Sequence, residues 1–500
     1  MQLYYRIDKA GLYMNSIIKF LENDLIDIEK YVVRLAAGQF KIDDFIAKVQ
    51  AKLQDLLKSI TAEAIESIDG VINEVSDRYI IEHSGLTKTI VTPVGEITYK
   101  RNYYRDRITK DHFYLADEIL GVGKHERMTP AAIAQVLEEA IDTSYRRGGI
   151  QLIDSVSKQT VKNIVHNVEI PEEPAGQFKT SRKKVRNLYV IADEDHVSLQ
   201  FNRKKGDLKT DGRYKCNTVI TKLACVYEGI RELSGETSKS KRYALYGKHY
   251  FSGVYPGTDN NEKFWNEIAN YIYNEYDVDY LENVFLSSDG GKWIQAGAEF
   301  LPKCKFVLDS FHITKYIHQA VNQLRLSSDD AERELYIAIR NNDRKAFVNT
   351  INDILYHLEE DGNPEPVMDC KKYILNNWKG ITNKSEYREL LHGCSAEGQV
   401  SHILSARMSS RPMGWTVKGA HQMAKLRAYK ANGGKVIDLL AYKSEKEIKE
   451  RKIDRIDEVV KTLRLKQKEN KYYDRINASI PGLESSKMRV IREIIDSISA

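Results

Sequence analysis

Val284-Phe285-Leu286-Ser287-Ser288-Asp289-Gly290-Gly291-Lys292-Trp293-Ile294, followed by Phe306-Val307-Leu308-Asp309-Ser310-Phe311-His312, decides how the rest of the chain is read. The apolar run 284–286 stops at an acidic residue and two glycines. That pattern predicts a buried strand that delivers a carboxylate to the end of a sheet. A helix is predicted over 292–300. A second apolar run, 306–308, then ends in a second carboxylate, Asp309, with His312 three residues on. Two consecutive strands ending in acid, the second with a nearby His, point to a metal-dependent site. The glycines after Asp289 leave room for a phosphate or a metal-bound water close to the backbone.

Upstream, Leu188-Tyr189-Val190-Ile191-Ala192-Asp193 predicts another buried strand ending in acid, and Val197-Ser198-Leu199-Gln200-Phe201 a further strand. Strands over 217–227 and 242–246 and a helix over 260–273 come next. The order is a meander of strands, then helix, strand, helix, strand, helix. It predicts an RNase H-like fold, a mixed sheet with helices on both faces. There the first strand and the strand after the first helix are neighbours, so Asp193 and Asp289 approach each other. Asp193 and Asp195 face the same side of an extended strand. Asp193 is favoured as the ligand because it follows the apolar run directly, as Asp289 does. Residues 313–393 are helical in pattern, an insertion. A helix over 397–408 follows, on which Glu397, Val400, Leu404 and Met408 share one stripe. Glu397 therefore points toward the core or toward a site at its edge.

Three carboxylates far apart in sequence suit two-metal phosphoryl transfer. Magnesium prefers oxygen ligands, and two ions stabilise both the attacking and the leaving oxygen. No Walker loop, nucleophile elbow or H-E-x-x-H motif offers a competing chemistry. Asp309 is also a candidate cap of the next helix, and His312 a structural hydrogen-bonding partner. Trp293 and Trp415 are candidates for stacking on a base or, more plainly, for the core.

The remaining chain divides as follows. Residues 1–86 are an N-terminal helical region, with helical periodicity over 10–85; it is a dimerising or packing segment, or simply a helical arm. Residues 87–170 combine a β-hairpin around Pro93-Val94-Gly95 with a helix-turn-helix-like stretch over 127–168, whose last helix carries Lys158 and Lys162. Arg101 lies on the basic, aromatic second strand of the hairpin. A connection over 169–186 carries the basic run 179–186. The RNase H-like core occupies 187–312, the insertion 313–393, the Glu-bearing helix with a basic segment 394–435, and a charged helical tail 436–500.

Charged residues make up 29% of the 500 and hydrophobic ones 42%, with a net charge of +5. The last hundred residues carry 22 Lys and Arg against 12 Asp and Glu, or +10, which leaves −5 for the first 400. Residues 401–430 hold six basic residues and no acid, a composition suited to a polyanion. No run is long and apolar enough to span a bilayer, and no signal peptide pattern opens the chain, so a cytoplasmic protein without membrane contact is expected. The five cysteines form no C-x-x-C pair, which argues against a zinc site or a disulfide framework.

The stretches Ala192-Asp193-Glu194-Asp195-His196, Ser288-Asp289-Gly290, Asp309 to His312, and Ser395-Ala396-Glu397-Gly398 running into Arg407-Met408-Ser409-Ser410-Arg411-Pro412-Met413-Gly414-Trp415 resemble bacterial insertion-sequence transposases of the DDE class. The likeness covers about residues 90–435. It is nearest the ISLre-type family, which is related to Mutator-like transposases. The resemblance implies Asp193, Asp289 and Glu397 as the catalytic, metal-binding triad for two Mg²⁺ or Mn²⁺ ions, with Asp309, His312 and Asp195 as accessory candidates. It implies double-stranded DNA as partner, both the terminal inverted repeats and the target, and a homodimer or larger assembly on it near the nucleoid. Arg101, Lys158, Lys162, Arg407, Arg411, Lys418, Lys425 and Arg427 are the expected DNA contacts. The alternatives are a DNA-binding regulator or a structure-specific nuclease on the same α+β multidomain scaffold.

Overall fold

A computed structural model of the chain describes residues 15–75, 78–120, 122–123, 125–173, 176, 179, 181–200, 209–211, 214–233, 242–358 and 362–441. It mixes helices with several sheets and divides into two compact units. One comprises 1–140, 144–164 and 437–500, the other 141–143 and 165–436. Among the described residues no helix is long and apolar enough to cross a membrane.

The first unit opens with helices α1 (Asn15–Lys19), α2 (Leu25–Ala36) and α3 (Ile42–Val75). The helical expectation for 10–85 overruns at its end. Strand β1 (Tyr79–Thr92) already pairs with β2 (Gly95–Asp106), Tyr79 lying opposite Asp106 and Ile81 opposite Tyr104. The β-branched and aromatic run Tyr79-Ile80-Ile81 gains a partner strand, and pairing overrides the helical period. A short β3 (His112–Phe113) extends this sheet, and α4 (Leu115–Leu120) follows. Helices α5 (Pro130–Asp142), α6 (Tyr145–Gly149) and α7 (Lys158–Asn167) occupy the stretch expected to form a helix-turn-helix. Gly148 lets α6 press against α5, since a Cβ there would lie 2.7 Å from the Val136 carbonyl oxygen.

The second unit is built on a five-stranded sheet. Its strands are β4 (Asn187–Ser198), β5 (Thr218–Tyr227), β6 (His249–Gly253), β7 (Asn283–Ser288) and β8 (Cys304–Leu308), in the order β6-β5-β4-β7-β8. β5 runs antiparallel to β4 and β6, while β7 is parallel to both β4 and β8. Two expectations are corrected. First, β4 does not end at Asp193: β5 pairs with it continuously from Tyr189 to Ser198, so the acids lie within one long strand. Second, the third strand of the meander is His249–Gly253, whereas Tyr243–Tyr246 pairs with Gly229–Glu232 in a separate ribbon. β6 is buried along nearly its whole length, so it lacks the alternation that reveals a strand.

Helix α8 (Gly257–Glu275) packs Phe264, Trp265, Ile268 and Ile272 against Leu188, Val190, Val284 and Leu286 on one face of the sheet. α9 (Lys292–Gln295) passes into a 3-10 turn, Ala296–Glu299. Five helices follow β8: α10 (Ser310–Val321), α11 (Ser328–Arg340), α12 (Arg344–Tyr356), α13 (Glu365–Asn376) and α14 (Trp378–Glu386). They share a hydrophobic core of their own around Phe347, Ile351 and Ile374. The chain then returns to the opposite face of the sheet. Tyr189 packs against His392 with the rings tilted and donates to the Leu390 carbonyl at 2.7 Å, and Phe285 meets Tyr387 edge-on. The helix expected over 397–408 is interrupted: α15 (Ala396–Val400), a π-helical turn (Ser401–Ser405) and α16 (Ala406–Met408). α17 (Val417–Ala431) packs on β6.

Trp265 is fully buried against the 3-10 turn, where a Cβ on Gly297 would come within 2.2 Å of its indole. Gly297→Ala therefore overpacks the core and is expected to lower stability by about 1–3 kcal/mol, read from the midpoint of urea unfolding.

Candidate active site

The register of three strands brings three acids to one level. Ile191 of β4 lies opposite Ser287 of β7, and Ser288 lies opposite Leu308 of β8. Continuing both ladders sets Asp193 beside Asp289 and Asp289 beside Asp309. The Asp309 amide donates to the Ser288 carbonyl at 2.9 Å, the closing bond of the Ser288–Leu308 pair, which holds Asp309 at the strand end next to Asp289. Side chains alternate along a strand, so all three carboxylates belong to the same face of the sheet, on strands about 4.8 Å apart. All three residues are half-buried.

Burial, above all, pushes the Asp193 carboxyl up to about 6; the Glu194 amide, donating to it at 2.8 Å, acts against this, and the charge of Asp289 adds to it. His312 lies 3.3 Å from Asp309 through Nδ1. That contact, opposed by burial and aided by the charges of Asp289 and Asp309, raises the His312 pKa above its ordinary value. Asp309 sits at the N-cap of α10 without making a side-chain cap bond, so its carboxylate serves the acid cluster and His312 instead. Burial lifts the Cys394 thiol to about 12, with Asp309 and Asp193 contributing. The residues leading into α15 thus border the same acids.

The loop after β7 is tightly held. Asp289 Oδ1 accepts from the Gly291 amide at 3.0 Å, and its carbonyl accepts from the Tyr373 hydroxyl at 2.6 Å. Gly290 has φ +91°, and a Cβ there would lie 2.4 Å from Asn377 Oδ1. Gln295 donates both to the Gly290 carbonyl and to Asn377. The space expected beside this glycine pair is filled by a side chain of the helical insertion.

Glu397 stands apart from the rest of its stripe and does not point into the core. Val400, Leu404 and Met408 of its stripe are buried, but Glu397 is exposed. It occupies the first turn of α15, ahead of the buried row, although α15 itself packs against β4. Among the described residues no three His, Cys, Asp or Glu side chains gather closely enough to hold a metal ion. Asp193, Asp289 and Asp309 therefore have the hard oxygen chemistry and the register for a divalent cation, without converging on one point.

Asp195 has a different task from Asp193. Its carboxylate accepts from the Ser409 hydroxyl at 2.8 Å. The Trp415 amide donates to the Ser198 carbonyl at 2.9 Å, and the Gln200 amide to the Trp415 carbonyl at 2.8 Å. The segment after α16 is thereby latched to the end of β4. Ser409 lies inside a stretch singled out in the sequence, but its partner is named only by the fold. Trp415 is buried and donates to the Met408 carbonyl at 3.0 Å; Trp293 donates to Glu194 and lies under the Lys222 ammonium, 4.7 Å from its ring centre. Both tryptophans belong to the packing.

Several expected DNA contacts are corrected. Arg407 is buried with its guanidinium 4.9 Å from the Trp415 ring centre. Arg427 donates to the carbonyls of His402, Ile403 and Ile141 and pairs with Asp142; Lys425 pairs with Glu172 at 3.0 Å. Arg101 pairs with Asp117 and lies over Tyr114. Carbonyls and carboxylates of the chain itself take up the donors of Arg427, Lys425 and Arg101. In the basic run, Lys179, Lys183 and Arg186 face Glu275, Glu228 and Glu282. Lys158, Arg411 and Lys418 are exposed and Lys162 is half-buried. Of the charged tail expected over 436–500, residues beyond 441 lie outside the described part.

Residues 35–445 match a family described as "Uncharacterised protein family (UPF0236)". A UPF0236 protein of Caldanaerobacter subterraneus subsp. tengcongensis is 33% identical over 425 residues, covering 83% of this chain and 85% of the relative. Another from the same organism, whose name joins eleven locus designations, is 33% identical over 424 residues, covering 81% and 84%. Among solved structures, the Drosophila P element transposase strand transfer complex aligns over 64% of this chain and 80% of that chain, at 11% identity and a TM-score of 0.20.

The raised carboxyl of Asp193 has a consequence for stability. Between its unfolded pKa of 3.8 and its folded value of about 6, the folded chain binds the extra proton. Stability therefore falls as pH rises through that window. Asp193→Asn removes the buried charge. In metal-free buffer the variant is expected to exceed the parent by roughly 1–3 kcal/mol above pH 7, with the gap closing below about pH 4, as measured by urea unfolding across pH.

Proposed function

The chain belongs to the UPF0236 family, and from the acid-bearing end of its five-stranded sheet we propose that it is a DNA transposase. It binds the ends of an insertion sequence, cleaves at their 3′ ends and transfers the freed strands into target DNA. The observation that carries this reading is the common level of Asp193, Asp289 and Asp309 on three adjacent strands. The strand order β6-β5-β4-β7-β8, with an all-helical insertion before α15, supports an RNase H-like core of the ISLre type, related to Mutator-like enzymes. A relative carried under eleven locus designations supports mobility of the coding DNA.

In this reading Asp193 and Asp289 are ligands of Mg²⁺ or Mn²⁺, two ions in all, with Glu397 or Asp309 completing the set. Metal bound there would polarise the scissile phosphate and make water, or a 3′ hydroxyl, a better nucleophile. His312 orients Asp309 and offsets negative charge between turnovers. Lys158, Lys162, Arg411 and Lys418 are the cations proposed to meet DNA phosphates. The work takes place on cytoplasmic, nucleoid-associated DNA. A second reading, a DNA-binding regulator on a degenerate core, is favoured by the exposed Glu397 and the ungathered ligand set.

Purified protein with Mg²⁺ and a duplex carrying the element's ends tests this. Nicking followed by joining to a second duplex is expected. Asp193→Ala and Asp289→Ala should each lower nicking at least about 100-fold, roughly 3 kcal/mol of barrier. Comparing Glu397→Ala with Asp309→Ala identifies the third ligand. A chain that retards the duplex without ever nicking it is a regulator, and one that nicks without joining is a nuclease.

A further inference from the structure

We propose that Lys384, supplied by the helical insertion, is a positioning residue of the acid cluster and the built-in positive charge against which a divalent cation binds there. β8 is an edge strand of its sheet. The Val284 amide donates to the Lys303 carbonyl and the Asp309 amide to the Ser288 carbonyl. The odd-numbered residues of β8 therefore bond to β7, and the carbonyls of Phe306 and Leu308 point to the open side. α14 closes that side. A Cβ on Gly380 would lie 2.7 Å from the Phe306 ring and 3.0 Å from the Leu308 amide nitrogen, so the helix lies directly on the strand. Asn383 donates to the Phe306 carbonyl at 2.8 Å, and Lys384 to the Leu308 carbonyl at 3.2 Å. A neutral donor is enough to cover a strand edge, as Asn383 does. Lys384 brings a charge as well.

The ammonium also bonds to the Ser310 hydroxyl. Lys384 thus grips the residues immediately before and after Asp309, while the Asp309 carboxylate itself faces His312. Burial pulls the Lys384 ammonium below its ordinary pKa, and the charge of Asp309, then that of Cys394, acts against this. An ammonium withdrawn from water onto two uncharged oxygens is costly unless nearby charge compensates. The acids at the end of the sheet supply that compensation. In return Lys384 offsets their mutual repulsion, and the same field opposes the approach of another cation. His312 does similar work but occupies an Asp309 oxygen; Lys384 leaves the carboxylate oxygens open to a metal. The inference rests on reading these acids as cation ligands.

Mn²⁺ titrations of the full chain without DNA, with free Mn²⁺ followed by electron paramagnetic resonance, test it. Lys384→Gln keeps a donor at this position and removes the charge. It should bind Mn²⁺ roughly 3- to 10-fold more tightly than the parent, the effect of one unit charge acting through a partly buried site. Lys384→Arg, which keeps the charge, should match the parent within about twofold. A purely structural role predicts the opposite sign, since a loosened strand end binds metal more weakly. Lys384→Met fills the same space without charge and carries the test if circular dichroism shows the glutamine variant unfolded. Parent-like or weaker Mn²⁺ binding by the uncharged variants overturns the proposal, and so does an arginine variant that binds as tightly as they do. A parent chain that binds no Mn²⁺, or binds it equally well after Asp193→Asn and Asp289→Asn, overturns the metal reading of the acids and this inference with it.

Discussion

Parallel pairing between β4 and β7 is the constraint on which the second unit depends. Two strands separated by almost a hundred residues of chain align in a register fixed by Asn187 opposite Asn283 and Ile191 opposite Ser287. A slip of one residue would turn Asp193 away from Asp289 and send apolar side chains into the wrong layer. The register is enforced from the apolar side, where Leu188, Val190, Val284 and Leu286 meet α8. Burial of those residues offsets the cost of holding carboxylates side by side at the far end. The Asp193 carboxyl is elevated chiefly by its burial, and the Asp289 charge adds to that.

Support for the acids comes from three directions. β8 adds Asp309 and, through α10, His312. The insertion fixes the loop after Asp289 through Tyr373 and Asn377. The segment after α16 closes on the end of β4 through Ser409 and Trp415. Only Glu397 lacks such a partner among the described contacts, and it alone of the expected triad faces solvent.

Much of this was legible in the sequence, and the reasons differ by element. β4 and β7 are buried on both faces, so each reads as an uninterrupted apolar run, and the change from apolar to acid marked the level of Asp193 and Asp289. Helices with strong amphipathic periodicity, such as α8 and those of the insertion, were equally plain. The failures share one physical cause: a partner distant in sequence decided the outcome. β5 carries β4 past its acids, β2 draws Tyr79-Ile80-Ile81 out of the preceding helix, and β6 hides its period by burying nearly every side chain. Charge was the least reliable guide. Arg407 and Arg427 read as phosphate contacts but are absorbed by Trp415 and by backbone carbonyls, and nothing local distinguishes an arginine that faces water from one that ties two helices together.

Asn377 against Gly290 carries one more implication. The helical insertion has its own hydrophobic core and resembles a removable module, yet it supplies the atoms that close the loop behind Asp289. The contacts that close the loop come from the end of α13 and the start of α14, whereas the outer helices of the insertion do not touch it. A descendant that shed the insertion would have to invent a new wall for that loop, so the core and its insert are bound to be inherited as a single piece.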